Sequence, residues 1–274
     1  MTHDDAAPPP TRLQPAPAPK TRRAPAPAST RRVPAPRPRA APAQPQRSAG
    51  VQAWAAQLDR CGWGDAELKR LLPEPISRGD DAFLPVHEKV LHAFELVRPE
   101  NVKCVVVGMC PYKKRDQACG LALSSPIGAT KPPTLTHWIF GHLKNESING
   151  GLGFHGRKPS HCDLTAWSTR AGVLLLNATL QGHKTGEDAW RPFISRAIQI
   201  VCSNGPRGFI FMGNDHPRRL ISAVVGRSRS CIVATPYPGQ FTRDDFNARQ
   251  PFASVNRKLV AAGAEPVRWN ALLD

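Results

Sequence analysis

Residues suited to binding or catalysis follow four short apolar runs in this chain. The runs and the residues after them are 102–107 before Met109, Cys110, Tyr112 and Lys113, 173–176 before Asn177, 209–211 before Gly213 and Asn214, and 231–234 before Thr235, Pro236, Tyr237 and Pro238. The amide of Asn177 can both donate and accept hydrogen bonds, which suits it to reading a polar ligand. The thiol of Cys110 is followed by three cations, Lys113, Lys114 and Arg115, which would stabilise its thiolate as a nucleophile or base.

Runs this short and apolar, with helical patterns between them, are typical of parallel strands buried on both faces. Helical spacing is present in 51–72, 86–97, 190–201, 220–225 and 252–260. The alternation predicts an α/β fold of three layers, α/β/α, around a central four-stranded, mainly parallel sheet. Ligands bind outside the carboxyl ends of such strands, so we expect the four loops to converge on one pocket.

The first 49 residues differ in composition from the rest of the chain. They are mostly proline, alanine, arginine, serine and threonine, with no aromatic residue. Such a segment has too little apolar surface to offset the entropy of ordering. We therefore expect a disordered basic arm over 1–49 and one folded domain over 50–274.

The chain is strongly basic, with a formal net charge of +16. The arm carries nine basic and two acidic residues, which gives it +7 and leaves +9 for the folded part. Charge of this size indicates a polyanionic partner if the basic residues cluster, and a solvated basic surface if they do not. Arg-rich, acid-poor ends also resemble transit peptides, but frequent prolines disfavour the amphipathic helix that these need.

No stretch has the roughly 18 apolar residues of a membrane span, and no signal-peptide core is present. We expect a soluble intracellular protein, located in the nucleus or wherever its partner is. The seven cysteines form no Cys-x-x-Cys pair, and the spacing of His155, His161 and Cys162 matches no standard metal site. We expect neither metal nor cofactor. The G-x-G-x-x-G match at 151–156 lacks a preceding strand and is expected to be a loop.

Motifs between residues 58 and 269 resemble, in the same order, those of the classical uracil-DNA glycosylases, which excise uracil from DNA. The motifs are 102–108 with Pro111 and Tyr112, 117–121 with Ser124, 132–135, 163–177, Gly213 with Asn214, Pro236 with Pro238, and 252–269. The resemblance implies a DNA-binding monomer with a base-excision repair function, acting on single- or double-stranded DNA.

Two family positions that carry catalysis differ here. In the family an aspartate orients the attacking water and a histidine donates to uracil O2, and these positions are Cys110 and Thr235. Loss of such groups costs roughly 10²- to 10⁴-fold each, so we expect uracil excision to be reduced or lost. Cys110 is then either a small neutral replacement or a group with altered chemistry on a modified base or an abasic sugar.

The resemblance also implies binding roles. Base contacts fall on Met109, Tyr112, Leu123 and Asn177, where Tyr112 blocks the thymine methyl group and Leu123 replaces a stacking phenylalanine. DNA contacts fall on Lys113, Pro132, Pro133, Thr134, Gly213, Asn214, Pro236, Tyr237, Pro238 and Phe241. The family's leucine wedge is absent, and Phe241 or Tyr237 is expected to take its place. The alternative is an inactive DNA-binding or replication-accessory protein that recruits a replication or repair partner.

Overall fold

The computed structural model describes residues 49–60, 62, 64, 84–182, 187–213, 216–226 and 230–274. Of the expected disordered arm, all but Ala49 lies outside these residues, and so does Asn214.

The centre of the fold is a four-stranded parallel sheet in the order β2-β1-β3-β4. Its strands are β1 (Cys104–Gly108), β2 (Val173–Asn177), β3 (Arg207–Met212) and β4 (Ser230–Thr235). Every residue of β1 and β2 is buried, as expected for strands covered on both faces. The predicted α/β fold and all four predicted strands are confirmed.

Helices and turns connect the strands. The α-helices are α1 (Ala49–Asp59), α2 (His92–Leu96), α3 (Phe140–Lys144), α4 (Glu146–Asn149), α5 (Thr165–Ala171), α6 (Glu187–Cys202), α7 (His216–Arg219), α8 (Arg243–Arg249) and α9 (Pro251–Ala261). A π-helical segment, Thr134–Ile139, leads directly into α3. The 3₁₀ turns are His87–Lys89, Pro99–Asn101, Leu220–Ala223 and Trp269–Leu273. None of the described helices is long and apolar enough to cross a membrane.

Aromatic side chains tie the helices to the end of the chain. Trp167 on α5, Phe252 on α9 and Trp269 are fully buried, with ring centroids 4.9–5.6 Å apart. The indole of Trp167 donates to the carbonyl oxygen of Trp269 at 2.7 Å, and that of Trp269 donates to Phe252 O at 3.2 Å. Buried indoles need such partners, so this cluster fixes α5 and α9 against the C-terminal turn.

Gly172 sets the start of β2 after α5. Its φ is 67°, and its N–H donates to Trp167 O to close the helix. A β-carbon at this position would lie 2.6 Å from Asn101 O, so glycine is required sterically as well as conformationally. The turn therefore places β2, and with it Asn177, in register with β1.

Three predicted helices differ from the structure. Of the helix predicted for 51–72, the described part ends at Asp59 and is followed by a turn at Gly62, and 65–72 lie outside the described residues. The pattern at 86–97 forms a 3₁₀ turn and the short α2, because both forms keep Val90 and Phe94 buried. The pattern at 220–225 forms a 3₁₀ turn, Leu220–Ala223, directly after α7, and Val225 is 62% exposed rather than packed.

Candidate functional site

The loops after the four strands begin at one edge of the sheet. Gly108 at the end of β1 pairs with Asn177, and Met212 at the end of β3 pairs with Thr235. Beyond these pairs, the N–H of Ala178 donates to Gly108 O at 2.9 Å and that of Gly213 donates to Thr235 O at 3.0 Å. These bonds hold the first residues of adjacent loops side by side.

A small pocket lies at this edge. It is lined by residues from the loops after β1, β2 and β4, namely Cys110, Pro111, Tyr112, Ala118, Cys119, Gly120, Leu121, Leu123, Asn177 and Tyr237. The space that the centre of a water molecule can reach is about 10 Å³, which is room for about one water. The pocket brings together four residues that the sequence assigned to catalysis or base contact: Cys110, Tyr112, Leu123 and Asn177.

Asn177 is 5% exposed and packs against β1. A β-carbon added to Gly108 would lie 2.8 Å from Asn177 Oδ1, so the amide oxygen rests over the α-carbon of Gly108. Because the neighbouring strand has no side chain here, the amide has room to lie at the pocket wall. An asparagine held in this way presents donors and acceptors to a ligand with little loss of side-chain entropy on binding.

Tyr112 and Leu123 form a second wall. The Tyr112 hydroxyl donates to Leu123 O at 2.7 Å, and burial raises the pKa of Tyr112 far above its ordinary value. Leu123 itself is buried with φ 66°, a left-handed conformation that is costly for a residue with a β-carbon. Such local strain clusters at functional sites, and here it points the Leu123 carbonyl at the tyrosine hydroxyl.

Tyr237 closes the pocket from the β4 side. It is half-buried against the core, and burial raises the pKa of its hydroxyl, partly opposed by a hydrogen bond with the Thr134 side chain. The Cys110 thiol is close enough to raise this pKa further. Thr242 Oγ1 donates to Tyr237 O at 2.5 Å, which folds the loop back on itself. Sequence reasoning placed Tyr237 among DNA contacts and did not place it in the pocket.

The two family catalytic positions differ in access. Cys110 is exposed and lines the pocket. Thr235 is 0% exposed, does not line the pocket, and its Oγ1 has no hydrogen-bond partner within the described part of the chain. A threonine side chain is shorter than a histidine side chain, so its hydroxyl stays below the pocket surface.

The remaining predicted residues that the structure describes do not line this pocket. Lys113, Pro133 and Phe241 are exposed, Thr134 is half-buried, and Pro132, Pro236 and Pro238 are buried. Met109 is half-buried, and its side chain lies against Gly213, where a β-carbon would be 3.0 Å from Met109 Cγ. Asn214 lies outside the described residues. Among the residues that are described, no three His, Cys, Asp or Glu side chains are grouped to hold a metal ion.

Comparison with known proteins gives the family. No protein-family model matches the chain. A uracil-DNA glycosylase of Streptococcus mutans is 31% identical over 211 residues, covering 74% of this chain and 90% of that protein. A uracil-DNA glycosylase of Idiomarina loihiensis is 32% identical over 200 residues, covering 70% and 88%.

A likeness of fold accompanies the sequence match. The crystal structure of mimivirus uracil-DNA glycosylase superposes with a TM-score of 0.61 at 18% identity, covering 80% of this chain and 86% of that one. The match spans about nine-tenths of the length of each of the two bacterial relatives. This chain belongs to the uracil-DNA glycosylase family.

Proposed function

We propose that this protein binds DNA and holds a pyrimidine, flipped out of the base stack, against Asn177. The observation that carries the proposal is the placement of the Asn177 amide over Gly108 in a pocket that it shares with Tyr112. An amide can pair with both the N3 donor and the O4 acceptor of uracil, and so reads its Watson–Crick edge. The two bacterial relatives of this chain are named uracil-DNA glycosylases, which supports the same ligand class here.

Exposed groups around the pocket fit contact with a DNA strand. Lys113, Lys114 and Arg115 are exposed next to Cys110 and supply positive charge for phosphates. Phe241 is 97% exposed at the outer side of the last loop, whereas the Tyr237 ring lines the pocket. An exposed aromatic ring is suited to enter a base step, so Phe241 is the wedge of this protein.

Excision of uracil is the activity of this site, and it is slow. Cleavage of the glycosidic bond leaves positive charge on the sugar and negative charge on the departing base, so a site must hold water and stabilise an anion. Cys110 supplies no carboxylate for the water, and Thr235 is buried away from the pocket. Each loss costs roughly 10²- to 10⁴-fold, and coupled groups do not add simply.

Single-turnover excision with protein in excess tests the activity. The substrate is a labelled single-stranded oligonucleotide with one uracil, and Asn177→Ala and Cys110→Ala are measured beside the native protein. Slow excision that disappears with Asn177→Ala supports the proposal, and the Cys110 variant shows whether the thiol takes part. No excision over hours, in a protein that binds the oligonucleotide, rejects the enzymatic part.

The buried Thr235 favours a second candidate, a non-enzymatic DNA-binding protein that recruits a replication or repair partner. Among the described residues its fully buried hydroxyl has no hydrogen-bond partner, as expected where a catalytic histidine is no longer maintained. This candidate predicts steep salt dependence of DNA binding and no preference for uracil. Equal affinity for uracil- and thymine-containing strands across a salt series would establish it.

A further inference from the structure

Two aromatic rings of the loop after β4 lie in opposite environments. Tyr237 lines the pocket with Asn177 and Cys110, while Phe241, four residues later, is 97% exposed. We propose that Tyr237 is a specificity-determining residue that closes the base pocket in the free protein, so that a pyrimidine enters as part of a DNA strand and not as a free base. The proposal rests on the proposed function, because it concerns the same pocket.

The size of the pocket is the first support. With Tyr237 in place there is space for about one water, of about 10 Å³, whereas ligand cavities commonly measure 300–1,000 Å³. A pyrimidine ring with its oxygens is many times larger than a water molecule. Base entry therefore requires part of the wall to move, and the part that the loop after β4 contributes is Tyr237.

The attachments of Tyr237 are the second support. Its hydroxyl is hydrogen-bonded to the Thr134 side chain, and its carbonyl oxygen accepts from Thr242 Oγ1 at 2.5 Å. Thr134 follows the exposed Pro133, and Thr242 follows the exposed Phe241. Both attachments thus lie beside residues that we assign to DNA contact, so DNA that engages Pro133 and Phe241 acts directly on the segments that hold Tyr237.

The pocket offers an internal reporter for its own opening. Cys119 lines the pocket and is half-buried, with its thiol donating to Ser124 O at 3.5 Å. Cys110 lines the same pocket but is exposed, and Cys104 is fully buried in β1. The three thiols therefore report the pocket interior, the pocket mouth and the protein core in one labelling experiment.

The first experiment measures iodoacetamide labelling of each thiol by peptide mass spectrometry, without DNA. We expect Tyr237→Ser to speed labelling of Cys119 by about tenfold or more, because opening of the site controls the reaction. Cys104 stays unlabelled if the variant is folded. The control Phe241→Ser removes a ring from the same loop and should leave Cys119 labelling unchanged. If Cys119 is labelled at the same rate in native protein and in Tyr237→Ser, the gate is overturned.

The second experiment measures binding to native protein, Tyr237→Ser and Asn177→Ala. The ligands are free uracil and oligonucleotides that contain uracil or thymine. The gate predicts that Tyr237→Ser gains free-uracil binding that the native protein lacks. If the native protein does bind free uracil and Tyr237→Ser binds it more weakly, the ring is a stacking surface and the gate is overturned.

The two experiments distinguish failure of the gate from failure of the proposed function. Faster Cys119 labelling in Tyr237→Ser, with no uracil preference in any variant, supports the gate and rejects pyrimidine reading. A uracil preference lost in Asn177→Ala, with both readouts unchanged in Tyr237→Ser, supports pyrimidine reading and rejects the gate.

Discussion

The Asn177 amide oxygen lies directly over the α-carbon of Gly108, its register partner on the neighbouring strand. A β-carbon at residue 108 would lie 2.8 Å from that oxygen, closer than side-chain carbons normally approach. The strand that lies next to Asn177 therefore has to lack a side chain at this point. The position of the amide depends on a glycine that itself makes no ligand contact.

Gly108→Ala should displace the Asn177 side chain. We expect a loss of about 1–3 kcal/mol in the free energy of unfolding from overpacking, together with loss of any preference for uracil. Urea unfolding and oligonucleotide binding measure the two effects. Gly141→Ala is the matched control, because a β-carbon there meets no atom within 4 Å, and it should change neither quantity unfavourably. Unchanged uracil preference in Gly108→Ala would show that the amide position is not critical.

Cys110→Asp should raise the rate of uracil excision. Residue 110 is exposed at the pocket, so a carboxylate there can reach a water without being buried. We expect a gain of about 10²-fold in single-turnover excision, the lower end of the contribution of a general base. Cys110→Asn is the control, since it has a similar shape but no charge. Equal rates in the two variants would exclude a carboxylate effect.

Phe241→Ala should weaken duplex binding without affecting folding. The ring is 97% exposed and contributes little to the core, so the free energy of unfolding should change by less than about 0.5 kcal/mol. Loss of a wedge should reduce duplex affinity by about tenfold or more, and single-strand affinity by less. Val260→Ala removes another exposed apolar side chain, on α9, and should leave both affinities unchanged. Fluorescence anisotropy measures the six affinities, those of the native protein and the two variants for duplex and for single strand.

His142 should make stability fall at acid pH. It is buried on α3, with Nδ1 donating to Asn247 Oδ1 at 2.9 Å, and burial lowers its pKa below the ordinary 6.5. Below about pH 6.5 the unfolded chain therefore binds a proton that the native protein does not, and stability is lost as the pH falls from there towards the lower native pKa. The slope for this one group is at most about 1.4 kcal/mol per pH unit.

Comparison with His142→Phe isolates that contribution. The ring of His142 lies 5.4 Å from Phe246 and 6.0 Å from Phe252, so a phenyl ring suits the surroundings. The difference in unfolding free energy between the two proteins should shift in favour of the variant as the pH falls from 7 to 5. A difference that does not vary with pH would mean that folding leaves the pKa of His142 unchanged.

The sheet and the ends of its strands could be predicted because they depend on short-range pattern. An apolar run such as 173–176 has to be buried, and Asn177 has to follow it at the carboxyl edge. The interruption of the helix predicted for 86–97 could not be predicted, because a 3₁₀ turn and an α-turn bury the same residues. Periodicity records which side chains are buried and not which hydrogen bonds the backbone makes.

Within the site, Tyr237 shows what the sequence leaves open. Its neighbours Pro236 and Pro238 identify the loop, but the direction of the ring depends on Thr134, which lies far away in the sequence, and on Thr242, five residues later in the same loop. Thr235 is a similar case, since its complete burial follows from packing in β4 and not from its position in a motif. Contacts between loops distant in sequence are not encoded in local spacing.

Equilibrium binding tests the central claim, pyrimidine reading by Asn177, independently of catalysis. Native protein and Asn177→Ala are titrated with matched single strands that contain one uracil, one thymine or one abasic-site analogue. We predict that the native protein prefers uracil over thymine by about tenfold or more, equivalent to ~1.4 kcal/mol, and that Asn177→Ala loses the preference. Affinity for the abasic strand should be the same in both proteins. Equal affinity of the native protein for all three strands, unchanged in the variant, would contradict the account.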